Sequence, residues 1–440
     1  MVITNIKQKK RIVITGLGPL SSIGIGKQVL WESILEGETG LTLEDYKIDG
    51  EKLVSYYVHR INNLDISNFG INKDILKDLK TWKEQEESLD LFYLLAVVKL
   101  ALDDAKINYV QTSKTKKLGL VLTHENPGLS QFYEDIINES YDLLKKDKKI
   151  TKKEYFLEFY NRFDKRGYDL QTFMFLFHVA KAFNIHSYSI FLCNACASGL
   201  FALETAADII RTGKCNTVVV AGSDYTDIFK YLWFKNLDMY AEDGKTKPFA
   251  KNRNGFVTGD GGAGIVLEDL NTALKRKAHI YAEYLGGGFY LEGWKVVIPD
   301  TTGNAYKIAI ETAIKNSNIK KEDIDLIVPH GVGTKLTDVY EAKTLTDIFG
   351  RHPKKPLITC FKPYIGHNLG STALLETVIL LLALEKNLIP PTLNCTEVDP
   401  KLNIDLVREL TKSELKIVMK TACGFAGFNG ACIFKKFAKK

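Results

Sequence analysis

The sequence predicts an α/β fold made of two similar halves. Short β-branched runs alternate with segments of helical period along most of the chain. A similar strand–helix order recurs after about residue 270, as a duplicated architecture would give. Thr217 to Ala221 (TVVVA) is an unbroken apolar run, as in a parallel strand buried on both faces.

Arg11 to Gly18 (RIVITGLG) reads as a strand entering a glycine turn, and Lys27 to Gly37 as a helix with Val29, Leu30, Ile34 and Leu35 on its apolar side. The glycine spacing is not that of a dinucleotide loop, and no acidic residue closes a short βαβ unit. A long helix is expected over Ser88 to Ala105 and a strand over Leu118 to Leu122. The polar, lysine-rich stretch from about 126 to 170 reads as a helical insertion or lid. Tyr188 to Leu192 is a short strand. Leu200, Leu203, Ala206, Ala207 and Ile210 then repeat at helical spacing, from a start at Ser198–Gly199 to a stop at Gly213. Phe256 to Glu268 is glycine-rich and ends in a strand. Beyond it come a strand at 280–285, helix 304–317, strand 325–329, helix 337–349, strand 357–360, helix 370–386, and strands near 415–421 and 430–434. The expected halves are residues 1–270 and 271–440.

Composition bounds the function. The net charge of +6 over 440 residues gives no argument for nucleic acid. Val378 to Leu384, the longest apolar run, is too short to span a bilayer. MVITNIKQKKR lacks the apolar core of a signal peptide. Seven cysteines without framework spacing fit a reducing cytoplasm.

One cysteine is singled out by its setting. Cys196 falls on the strand-to-helix turn before Ser198, where unsatisfied helix N–H groups favour the thiolate. An ordinary buried cysteine is the competing reading. Cys193 completes a CxxC with Cys196, but no second pair at zinc-like spacing exists, and no metal site is expected. The second half supplies partners. His330 follows a strand and precedes Gly331-Val332-Gly333-Thr334, and His367 stands in FKPYIGHNLG just before the apolar helix TALLETVILLLALE. Glu376 is the only charge between Gly370 and Leu384, and Lys362 is its expected partner. The glycine-rich turn from Cys423 to Gly430 offers backbone amides for an oxyanion.

These motifs, NACASG, PHGVGT, FKPYIGHNLG and GFAGFN in that order, resemble those of the β-ketoacyl-ACP synthases with a Cys-His-His site. The resemblance implies a thiolase-like five-layer αβαβα fold from two duplicated halves and a homodimer, with a heterodimer as the alternative; the β-branched strand 217–221 is expected to pair with its copy there. It implies no bound cofactor, because substrates arrive on the phosphopantetheine arm of an acyl carrier protein (ACP). Residue by residue it implies Cys196 as acyl-accepting nucleophile, His330 and His367 as enolate stabilisers, and Lys362 with Glu376 supporting His330. It implies backbone N–H groups of Cys196 and Phe425 as the oxyanion hole, Phe425 as gate, and Val332, Thr334, Gly427 and Phe428 around the substrate path. Val332 stands where the family usually has threonine, which removes a hydroxyl toward the phosphopantetheine arm; Phe428 replaces another threonine and Ala426 a glycine, so a narrower, more aromatic mouth is expected. Pro363 follows Lys362 where a small polar residue is common. Glu84, Glu86 and Glu87 lie where ACP-docking surfaces tend to be basic, which leaves the lysines at 145, 146, 148 and 149 as docking candidates. A specialised pathway, polyketide or other, is at least as well supported as fatty-acid synthesis. The alternatives are a non-decarboxylating acyltransferase and a non-catalytic partner subunit; Cys196 argues against the latter.

Overall fold

The computed structural model describes residues 10–438 except 49, 63, 73–74, 77–88, 110–117, 125–128, 147–148, 159–171 and 351–353. In the first half, β1 (Ile12–Ser21) is buried throughout and turns through β2 (Gly24–Ile25) into α1 (Lys27–Glu36). A hairpin follows, β3 (Leu41–Ile48) and β4 (Glu51–His59), which the periodicity does not announce because most of it is partly exposed. The apolar α2 (Leu89–Asp104) precedes β5 (Leu118–Thr123). The expected insertion contains the amphipathic α3 (Leu129–Lys146), and part of it lies outside the described residues; α4 (Thr172–Ala182) comes after it. Then come β6 (Ser189–Leu192), α5 (Ser198–Arg211), β7 (Thr217–Asp224), α6 (Ile228–Asn236), β8 (Gly261–Asp269) and α7 (Leu270–Lys275).

The second half comprises β9 (Ala282–Leu291), α8 (Asn304–Asn316), β10 (Leu326–Val328), α9 (Thr337–Phe349), β11 (Leu357–Ile358), α10 (Lys362–Ile365), α11 (Thr372–Lys386), the short pair β12 (Leu388–Ile389) and β13 (Thr411–Lys412), β14 (Ile417–Gly424) and β15 (Phe428–Lys436).

The sheet topology displays the duplication. Strand order runs β6-β5-β7-β8-β1-β9-β15-β14-β10-β11. From either edge inward the first three strands are parallel and the next two pairings antiparallel. The half-sheets meet where Ile12–Ile14 pair with Ala282–Tyr284. Between them lie α5 and α11, which touch each other and strands of both halves; α2 covers the outer face of the first half, and α8 that of the second. That gives five layers, αβαβα. The central layer explains the apolar stripe: Leu200, Leu203, Ala206, Ala207 and Ile210 share one core with Leu374, Leu375, Val378 and Ile379.

The sequence suggests Thr217–Ala221 as the strand that pairs with a second copy of the chain. The structure corrects this, because β7 already bonds β5 on one side and β8 on the other. The open edge of this half is β6, four partly exposed residues.

Candidate active site

The turn that carries Cys196 is tied down by a serine. Asn194 N donates to Ser198 Oγ (2.7 Å), and Ser198 Oγ donates to the Ala195 carbonyl (2.5 Å). Ala195 takes the left-handed conformation, φ 49°, which costs a non-glycine residue about 1–2 kcal/mol. The Ser198 hydrogen bonds help offset this cost, and the turn sets Cys196 two residues before α5, facing a cavity. Cys196 is buried and Cys193 exposed, and none of the seven cysteines forms a disulfide among the described residues.

His330 follows β10, and α9 holds its backbone. Glu341 accepts from His330 N (2.6 Å), Gly331 N (2.8 Å) and Tyr306 Oη (2.7 Å). One turn earlier, Asp338 accepts from Gly333 N (3.0 Å) and Phe249 N (2.6 Å). Burial pushes the Asp338 carboxyl up to about 7, with Glu341 nearby adding to it. These two carboxylates shape the His330–Thr334 loop, and sequence reading missed both. Their spacing, three apart on a helix just after a glycine-rich loop, is the signal that could have found them.

His367 is fixed from both sides of its backbone. Its N–H donates to the Val257 carbonyl (2.8 Å), and its carbonyl accepts from Gly259 N (3.2 Å). Gly366 makes this approach possible: its φ is 72°, and a Cβ there would fall 2.9 Å from Gly259 Cα. His367 Nδ1 pairs with Thr372 Oγ1 at 2.9 Å. The His330 and His367 rings stand edge to face, centroids 5.4 Å apart. Burial holds both imidazoles well below the ordinary histidine range, and the Lys362 and Lys420 charges push the same way. At neutral pH both are therefore uncharged.

Glu376 pairs with Lys362 as the sequence suggests, both carboxylate oxygens lying 3.1 Å from Nζ. Lys362 Nζ also donates to the His330 carbonyl (2.5 Å). The structure adds a partner: Lys420 Nζ lies 2.6 Å from Glu376 Oε2, with both lysines fully buried. A lysine inside the apolar strand IVMKTACG was the available signal.

β14 delivers the fourth part. It ends at Gly424, where a Cβ would stand 3.0 Å from Cys196 N and 3.3 Å from Ala197 N. The glycine thus lets the Gly424–Phe425 backbone lie against the Cys196 turn. The Phe425 ring packs edge-on against Trp233 at 5.6 Å. Ala426, left-handed at φ 58°, donates to the Val296 carbonyl (2.6 Å).

Cys196, His330, His367, Phe425, Gly427, Val332 and Thr334 all line one cavity of about 50 Å³, closed on another side by Lys295 to Val297 and Pro299. Phe428 is the exception. Its ring packs edge-on against Phe201 of α5, centroids 5.9 Å apart, and is not among the residues lining the cavity. Alternation along β15 turns it away from Gly427, so it does not narrow this mouth. A larger cavity of about 790 Å³ lies between α9 and residues 395–411 and contains none of these groups. Lys145, Lys146 and Lys149 are exposed; Lys148, Glu84, Glu86 and Glu87 lie outside the described residues. Among the described residues no helix is long and apolar enough to cross a membrane, and no cluster of three His, Cys, Asp or Glu could hold a metal.

The chain resembles known proteins over nearly its whole length. It is 28% identical to 3-oxoacyl-[acyl-carrier-protein] synthase 1 of Buchnera aphidicola subsp. Baizongia pistaciae, covering 97% of this chain and 100% of that one. Among solved structures, the ishigamide ketosynthase/chain length factor superposes with a TM-score of 0.83 at 24% identity, over 98% of this chain and 100% of that one. A ketosynthase bound to its type II PKS acyl-carrier protein superposes with a TM-score of 0.81 at 22% identity, with the same coverage. Residues 9–273 match the beta-ketoacyl synthase N-terminal domain and residues 281–396 its C-terminal domain, and the chain belongs to the beta-ketoacyl synthase family.

Proposed function

We propose that this protein is a decarboxylative condensing enzyme that elongates an acyl group held on Cys196. In the first half-reaction the Cys196 thiolate attacks the acyl thioester of a carrier, the carrier thiol leaves, and an acyl-cysteine remains. Backbone N–H groups of Cys196 and Phe425 take the charge on the tetrahedral oxygen; the backbone at Gly424, where a Cβ would stand only 3.0 Å from Cys196 N, supports their pairing. In the second, the bond from the malonyl α-carbon to its carboxylate breaks and CO2 leaves. The electron pair moves onto the thioester oxygen as an enolate. The enolate carbon then attacks the acyl-cysteine carbonyl, and the Cys196 thiolate departs.

Two neutral imidazoles suit the enolate. We assign the Thr372 hydroxyl as donor to His367 Nδ1, 2.9 Å away, which puts the ring proton on Nε2, ready to donate into the cavity. Lys362, itself paired with Glu376, holds the His330 carbonyl. The observation that carries this reading is the convergence of the thiol, both neutral imidazoles and the Phe425 loop on one small cavity. Val332, Thr334 and Gly427 line the route that we assign to the pantetheine arm.

The substrate carrier is taken to be ACP, on the strength of the family and of relatives named for it. Lys145, Lys146 and Lys149 are proposed to meet its acidic surface. No resident cofactor is required by this chemistry. A reducing, cytoplasmic setting is proposed on the cysteine usage, an odd number without framework spacing. A homodimer is proposed through the β6 edge, whose outer backbone groups have no partner strand among the described residues. The test is purified protein with acyl-ACP and carboxyl-labelled malonyl-ACP, following acyl-Cys196 by mass spectrometry and labelled CO2 in parallel. Both signals are expected. Acylation without CO2 under every priming group overturns condensation in favour of a non-decarboxylating acyltransferase, and no acylation at all assigns a non-catalytic role.

A further inference from the structure

Glu376 has one more cation beside it than neutrality requires. Lys362 already meets both carboxylate oxygens, yet Lys420 approaches Oε2 more closely, at 2.6 Å. Lys420 Nζ also donates to the carbonyls of Pro329 and Thr421, each at 2.9 Å. Pro329 immediately precedes His330, whose own carbonyl is held by Lys362. The two ammonium groups thus grip successive carbonyls of the segment that carries one imidazole. Lys420 reaches it because β14 pairs in parallel with β10, with Lys420 opposite Val328. Four residues on, the same strand ends at Gly424 against the nucleophile turn. A fully buried lysine in a central strand is costly, and an apolar residue there would pack without that cost. Pairing with Glu376 alone does not account for it.

We propose that Lys420 is a positioning residue for the decarboxylation half-reaction: it fixes the Pro329–His330 backbone and sets a second positive charge behind the two imidazoles, where enolate charge develops. The proposal rests on the roles given above to Cys196, His330 and His367. The charged and titratable groups facing Lys420 are Glu376 on α11, Lys362 on α10, Glu341 on α9, and the two imidazoles. Two lysines balance two carboxylates in this group. Without Lys420 it is more negative by one charge. That opposes a growing enolate and strengthens proton binding by both imidazoles, each of which Lys420 now holds down. Acyl transfer to Cys196, whose oxyanion faces backbone amides on the other side, is little affected.

Lys420→Gln and Lys420→Met in the full-length protein test this against wild type. CO2 release from carboxyl-labelled malonyl-ACP is followed from pH 5 to 8, beside the rate of Cys196 acylation. Release is expected to fall roughly tenfold or more, with its acid limb displaced upward by about one pH unit, while acylation persists near the wild-type rate. The displacement is upward because the uncharged imidazole is the competent form, and losing a nearby cation raises its pKa. Unchanged release overturns the proposal. So does an equal fall of both half-reactions with no displaced limb, or failure of both variants to fold, which would assign Lys420 to stability alone. If wild type itself releases no CO2, the condensing function fails instead, and the two failures are distinct.

Discussion

Replacing His367 by alanine separates the two half-reactions most directly. The ring is fully buried, its backbone is held on both sides, and Nδ1 is occupied by Thr372 at 2.9 Å, so one donor, Nε2, remains for the substrate. Loss of one preorganised donor at developing negative charge costs roughly two to three orders of magnitude, about 3–4 kcal/mol. Decarboxylation should fall by that factor, while acyl transfer to Cys196 continues. Thr372→Val removes only the bond that fixes the tautomer, so a loss of about tenfold or less is expected, near the 0.5–1.5 kcal/mol of one neutral hydrogen bond. Wild-type release should show no imidazole inflection between pH 6.5 and 8, because burial and the lysines keep both rings deprotonated there. Labelled CO2 and acyl-enzyme mass spectrometry on the same samples give the two rates. A fall of acylation in step with CO2 release in His367→Ala, or a loss of release smaller than that in Thr372→Val, refutes the assignment.

Gly424→Ala places a methyl 3.0 Å from Cys196 N and 3.2 Å from Ala195 Cβ, so acylation should slow by about tenfold or more; a wild-type acylation rate would remove the Gly424–Phe425 backbone from the oxyanion site. Along β6, Tyr188 O accepts from Leu120 N, and period-two alternation turns the backbone groups of Ser189 and Phe191 outward. Phe191→Pro should therefore yield a monomer by light scattering, and an intact dimer would place the interface elsewhere. The Lys362→Ala variant keeps Lys420 against Glu376, so it should fold, contrary to what a lone ion pair would give; thermal unfolding measures this. His59 is buried, and desolvation pushes its imidazole down to about 4. Unfolded chains bind its proton near pH 6.5, so this group lowers stability as pH falls from there toward 4, by up to about 3 kcal/mol. The stability of His59→Asn relative to wild type should therefore rise over that window in denaturant titrations, and a constant difference would contradict the burial argument.

The candidate-site motifs were legible in the sequence because each is local. The strand-to-helix turn at Cys196, the glycines after His330, the glycine before His367 and the lone carboxylate in TALLETVILLLALE mark their surroundings by composition alone. The alternation of strands and helices gave the α/β class, and the stripe from Leu200 to Ile210 gave the central helix, since burial on one face imposes a period that neighbours cannot hide. Other features depend on residues far apart in the chain. The β3–β4 hairpin carries weak alternation because much of it stays partly exposed. Which strand is the open edge follows from sheet order, and a β-branched run such as TVVVA reads the same in the middle of a sheet as at its rim. Phe428 sits one residue from the cavity lining yet faces Phe201, a choice made by the pleat of β15 against α5. Lys420 is 44 positions from Glu376, and Glu341 meets the His330 loop only because α9 folds back against that loop. Local sequence determined which groups could do the chemistry; the pairing of β14 with β10 and the packing of α11 between the sheets decided which charges stand behind them, because a buried ion cluster exists only where several elements converge.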